Sequence, residues 1–99
     1  MNGVSLLKCI CDETRFDILD LLQKNKELCV NDFVEKLRKD QPLVSHHLKT
    51  LRKCGIVKSR DAGKKAMYSI SNSQLSVLIS SVTNASKKIP VLCSDDSCC

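Results

Sequence analysis

A helix that is stopped by a glycine and followed at once by a hairpin constrains this 99-residue chain more than any other feature. The segment is Gln41 to Ile70. Pro42 suits the first helical position, Asp40 or Gln41 can cap it, and Gly55 suits a left-handed stop. Between them Val44, Leu48 and Leu51 fall at i, i+4 and i+7 and share a core-facing stripe. Ser45, His46, Lys49, Arg52 and Lys53 lie largely on the other faces. Ile56–Arg60 and Ala66–Ile70 then read as short strands around Asp61-Ala62-Gly63-Lys64-Lys65, with Gly63 at the turn position that favours positive φ. Tyr68 and Ile70 alternate onto one face. The segment also holds seven of the chain's sixteen basic side chains and a single acidic one, Asp61. Clustered Lys and Arg gain affinity for phosphate by releasing condensed counterions. A basic face that is merely solvated is the alternative, and the attached helix and hairpin disfavour it.

The elements around this segment are helical. Val4–Ile10 is a short apolar helix, and a second starts near the cap Asp12 and buries Phe16, Leu19 and Leu22. Glu27–Arg38 reads as a third, with Phe33, Val34 and Leu37 inward. A short polar turn, Arg38–Gln41, joins it to the basic helix, the spacing of a helix-turn-helix. A last helix, Asn72–Lys87, carries Leu75, Leu78, Ile79 and Val82 as an apolar stripe, and Pro90 halts it. The expected fold is mainly α with a small β-hairpin: a winged helix-turn-helix of four helices, two strands and a final helix. Residues 1–89 are expected to form this winged helix-turn-helix domain and residues 90–99 a Cys-rich tail.

Length allows one domain with one core, which Val, Ile and Leu must fill because only three aromatics are present. No basic region precedes the first apolar run, which Lys8 interrupts, so neither export nor a membrane span is expected. A cytoplasmic location follows. Seven cysteines, an odd number without an export signal, argue against a disulfide scaffold. An enzyme such as a thiol reductase is disfavoured: there is no CxxC, no phosphate-cradling glycine loop, and no His–Asp pair beside a nucleophile. A metal-buffering or protein-interaction module remains as a third class, and it predicts no salt-dependent binding to duplex DNA.

Three blocks in this order resemble the ArsR family of winged-helix repressors, which sense metals and metalloids. They are Cys11-Asp12-Glu13-Thr14-Arg15-Phe16-Asp17-Ile18-Leu19, then Gln41-Pro42-Leu43-Val44-Ser45-His46-His47-Leu48-Lys49-Thr50-Leu51-Arg52, then Gly55-Ile56-Val57 with Arg60, Gly63 and Tyr68. The resemblance implies a homodimer joined through its first and last helices, with two recognition helices about 34–36 Å apart on an imperfectly palindromic operator. DNA binding itself needs no cofactor.

On DNA, Gln41, Ser45, His46 and Lys49 are the candidate groove contacts. Gln can bond adenine bidentately, Ser is adaptable, and neutral His donates or accepts. Arg60, Lys64 and Lys65 in the wing are the candidates for phosphate or the minor groove. Arg52 and Lys53 sit toward the helix end and point to backbone or solvent. His47, beside core positions, reads as a satisfied structural residue. No aromatic is interleaved with these basic residues, which disfavours single-strand stacking.

Cys93, Cys98 and Cys99 place three thiols in the last seven residues. Three soft thiolates complete the coordination of trivalent arsenic or antimony, whereas zinc or cadmium asks for a fourth ligand. Asp95 and Asp96 nearby favour a divalent cation instead, so cadmium, lead or zinc stay open as inputs; thiol oxidation is a further alternative, which the same carboxylates disfavour because a redox sensor needs a low-pKa thiol. Many arsenic-sensing members of the resembled family carry Glu-Leu-Cys-Val-Cys-Asp on the third helix. Here Glu27-Leu28-Cys29-Val30-Asn31-Asp32 keeps Cys29 and replaces the second cysteine with Asn31. The His and acidic ligands that some zinc sensors place on the last helix are also missing from Asn72–Lys87. Cys9, Cys11 and Cys54 stand where the family usually has small residues and are expected to be structural, with Cys9 or Cys11 joining the tail across the dimer as the alternative.

Overall fold

Three of the helices begin on a side-chain cap. Asn2, Asp12 and Asn72 each accept a hydrogen bond from a backbone N–H three residues on, at 2.8, 3.0 and 2.9 Å, satisfying one otherwise orphaned donor per helix. The computed structural model describes residues 1–89. The order is α1 (Gly3–Ile10), α2 (Glu13–Lys24), β1 (Leu28–Cys29), α3 (Val30–Leu37), α4 (Gln41–Lys53), β2 (Val57–Ala62), β3 (Lys65–Ile70) and α5 (Ser73–Lys88). This is a winged helix-turn-helix, mostly helical with one small sheet.

Helix α2 lies at the centre, against α5, α4 and β3. Ile18, Leu19, Phe33, Val44, Leu48, Leu51, Ile56 and Ile79 are the largest wholly buried side chains. Burying each contributes about 1.5–3 kcal/mol relative to exposure. The inner stripe expected of α4 is therefore correct at all three positions. The Thr83 hydroxyl donates to Asp20 Oδ1 at 3.3 Å, tying α5 to α2.

The end of α4 is a Schellman motif. Gly55, at φ +80°, donates to the Arg52 carbonyl, and Ile56 donates to that of Leu51, both at 3.0 Å. Ile56 and Leu51 are both buried, so the hydrophobic pair that often completes this motif is present.

Two boundaries differ from expectation. The third helix begins at Val30 and not Glu27, because Leu28 and Cys29 form a third strand, pairing antiparallel with Tyr68 and Met67. The sheet order is thus β1-β3-β2. The wing strands are also longer than expected, pairing from Val57↔Ile70 to Ala62↔Lys65. That leaves only Gly63 and Lys64 in the loop. Gly63 sits at φ +69° and Lys64 has negative φ, the pattern of a II′ turn that suits strand twist.

Candidate nucleic-acid interface

The three residues Arg38–Asp40 separate α3 from α4, and Arg38 turns the corner in the left-handed region at φ 54°. Asp40 is the N-cap by position, although its side chain makes no capping hydrogen bond, and Pro42 falls in the first turn. Gln41 is consequently the first residue of α4, exposed at its N-terminal end.

The structure groups the candidate contacts in two places. Gln41, Lys64 and Lys65 line one cleft of about 200 Å³, together with Cys29 and Asn31 at the start of α3. The tip of the wing thus meets the start of the recognition helix, and a duplex backbone crossing there meets both cations. Lys49 shares an open groove with Arg52 and Lys53 further along α4, so the two residues assigned to the helix end extend the same basic track. His46 is exposed, and Ser45 is half-buried beside it.

Arg60 is placed differently. It lies in the body of β2, opposite Met67, and its guanidinium clasps Glu27 through Nε to Oε2 at 2.6 Å and Nη2 to Oε1 at 2.8 Å. This two-point pairing holds the Glu27 carboxyl below the usual carboxylate range and pushes Arg60 upward. The positive charge expected to meet phosphate is already matched within the fold. The pairing of Arg60 with Glu27 is not legible in the sequence, since no local pattern links positions 33 apart.

His47 is packed, as its position implied, but it is not fully satisfied. Its side chain is 12% exposed, its Nε2 stands 3.9 Å from Asp12 Oδ2, and its Nδ1 is buried without a partner. Burial lowers its pKa, the Asp12 carboxylate opposes that, and the charges of Arg15 and His46 add to the lowering.

Of the cysteines, Cys29 is the buried N-cap residue of α3. Its backbone N–H and its thiol both reach Asp32 Oδ2, at 3.0 and 3.3 Å, and these contacts lower the Asp32 pKa. Cys9 is buried and touches Cys54, in keeping with a packing role. Cys11 is exposed, so it does not fill a core position as expected. Cys93, Cys98 and Cys99 lie outside the described residues. Among the described residues no group of three His, Cys, Asp or Glu side chains is placed to hold a metal ion.

A buried stripe on α4, an outward basic track and a cationic wing tip define a DNA-binding winged helix-turn-helix regulator, a class that is not enzymatic. Comparison with known proteins agrees. The pattern of the bacterial regulatory protein arsR family matches residues 12–59. An HTH-type transcriptional regulator of Methanocaldococcus jannaschii is 40% identical over 78 residues, covering 79% of this chain and 88% of the relative. The arsenical resistance operon repressor of Escherichia coli is 41% identical over 68 residues, covering 69% of this chain and 58% of that repressor. Among solved structures, HlyU from Vibrio cholerae superposes with a TM-score of 0.78 at 31% identity, covering 84% of this chain and 89% of its own. The chain belongs to the arsR family of transcriptional regulators.

Proposed function

We propose that the protein is a homodimeric repressor that leaves its operator when Cys93, Cys98 and Cys99 capture trivalent arsenic or antimony. The observation that carries the regulatory part is the division of the surface. Basic groups crowd α4 and the wing tip, while large exposed apolar residues sit on or beside α1 and α5. Val4 is 63% exposed, Leu7 55% and Val77 64%; Val82 and Ile89 are also exposed, and among the described residues only Leu43 is a comparable case away from these two helices. Apolar area of this kind on a small domain is what a second copy covers. A two-fold axis through α1 and α5 then presents two α4 helices to successive major-groove turns.

The effector assignment rests on donor chemistry. Cys29 is engaged with Asp32, and Asn31 beside it is exposed and offers no thiol. The three tail thiols (within residues 90–99, taken as the effector segment) match the coordination number of the trivalent metalloids. Capture biases the dimer against the DNA-fitting geometry, and a coupling of about 1–3 kcal/mol lowers operator affinity about 5–150-fold. Thiols lose protons on capture, so uptake weakens at low pH. The test is a titration of operator-bound protein with arsenite, antimonite, cadmium, lead and zinc, repeated on the Cys93→Ser/Cys98→Ser/Cys99→Ser protein. Arsenite and antimonite should release wild type and not the variant. Release of the variant at the same arsenite concentration refutes tail capture, and release by cadmium, lead or zinc alone transfers the site to a divalent ion.

A further inference from the structure

Cys9 lies in the last turn of α1 and Cys54 is the C-cap of α4, 45 residues apart in sequence, yet their sulfurs approach to 2.7 Å. Both are free thiols. Unbonded sulfurs seldom come so near, and little side-chain rotation separates this contact from the bonding distance of about 2.05 Å. The pair is also asymmetric. Cys9 is 7% exposed, whereas Cys54 is half-buried and borders a surface cavity of about 260 Å³ that Met1, Leu6 and Leu75 help to line. We propose that Cys9 and Cys54 form a thiol–disulfide redox site that hydrogen peroxide oxidises, cross-linking α1 to the end of the recognition helix.

The step balances without a metal. The Cys54 thiolate attacks one peroxide oxygen; the O–O bond breaks, leaving Cys54 as the sulfenic acid and releasing hydroxide, which the thiol's proton converts to water. The Cys9 sulfur then attacks the Cys54 sulfur as it gives up its proton. The S–O bond breaks, hydroxide leaves with that proton as a second water, and the disulfide remains. Two electrons pass from the sulfurs to the peroxide. Burial and the neighbouring Cys54 push the Cys9 thiol up to about 11, which makes Cys9 the poorer first nucleophile and leaves the more accessible Cys54 to meet the peroxide; the second step relies on the closeness of the two sulfurs.

This input uses none of the tail thiols, so it stands or falls separately from metalloid capture. The test takes the chain with Cys11, Cys29, Cys93, Cys98 and Cys99 changed to Ser, its fold checked by circular dichroism, and treats it with hydrogen peroxide. Both remaining thiols should become untitratable together, digestion should yield one peptide pair joined through Cys9 and Cys54 within a single chain, and dithiothreitol should restore both thiols. The proposal is overturned if dimedone traps Cys54 while Cys9 still titrates, or if the cross-link forms only between chains. Peptide mapping of the oxidised wild-type chain provides the same reading should the substituted protein fail to fold: a Cys9–Cys54 peptide supports the site, and its absence overturns it.

Discussion

Replacing Glu27 with Gln should strengthen DNA binding and steepen its dependence on salt. In the folded protein Glu27 clasps Arg60 at two points, and Arg60 remains 61% exposed. Neutralising the carboxylate removes the partner and frees one cation on the wing. Each phosphate neutralised on duplex DNA adds about 0.9 to the slope of log affinity against log salt. Glu27→Gln should therefore steepen the slope by about 0.9, so that raising salt from about 50 to about 200 mM costs a further factor of about 3.5. The double variant Glu27→Gln/Arg60→Gln should return to the wild-type slope, and Lys64→Ala, at the wing tip, should flatten it by about 0.9. Fluorescence anisotropy on an operator duplex across that salt range measures all four proteins. An unchanged slope in Glu27→Gln, or a double variant that falls a full unit below wild type, refutes the view that the ion pair withholds Arg60 from phosphate.

The remaining expectations concern His47 and the dimer. Burial sets the folded pKa of His47 below 6.5, so as pH falls the unfolded chain takes up that proton first. Stability is then full above about pH 6.5 and declines below it; urea melts across pH 5 to 8 should show the slope in wild type and a flatter line in His47→Gln, and equal slopes refute the assignment. Glu in place of Leu7 or Val77 should give monomers in sedimentation velocity, because a charge cannot be buried unpaired in an apolar interface. Leu43→Glu, on α4, should leave the oligomer intact.

Most of the architecture was legible because its signals are local. Asp12 announced its helix through capping chemistry, the apolar stripe from Leu75 announced the last helix, and Gly55 announced the end of α4 through its left-handed backbone. Leu28–Cys29 was not legible as a strand, since two residues have no period and Cys29 is an unusual helix N-cap. The candidate contacts divide in the same way. Lys64 and Lys65 at the wing tip and Gln41 at the helix start follow from position along the chain, and the structure brings the three together. The commitment of Arg60 to Glu27 and the meeting of Cys9 with Cys54 depend on tertiary approach, which alternation and spacing do not encode.

The residues just past α4 tie the DNA-facing elements to α1 and α5. The Gly55 carbonyl accepts the Ser71 hydroxyl at 2.7 Å, and the Ile56 carbonyl accepts the Ser71 backbone N–H at 3.0 Å. Asn72, the next residue, caps α5. The stop of the recognition helix, the end of the wing and the start of the last helix are thus fastened within a few residues, and Cys54 adds α1 to the same joint through Cys9. Since Leu51 and Ile56 are buried there, α4 cannot slide along its axis without opening the core. An effector bound near α1 or α5 alters operator affinity through this joint only to the extent that it binds two arrangements of the joint unequally.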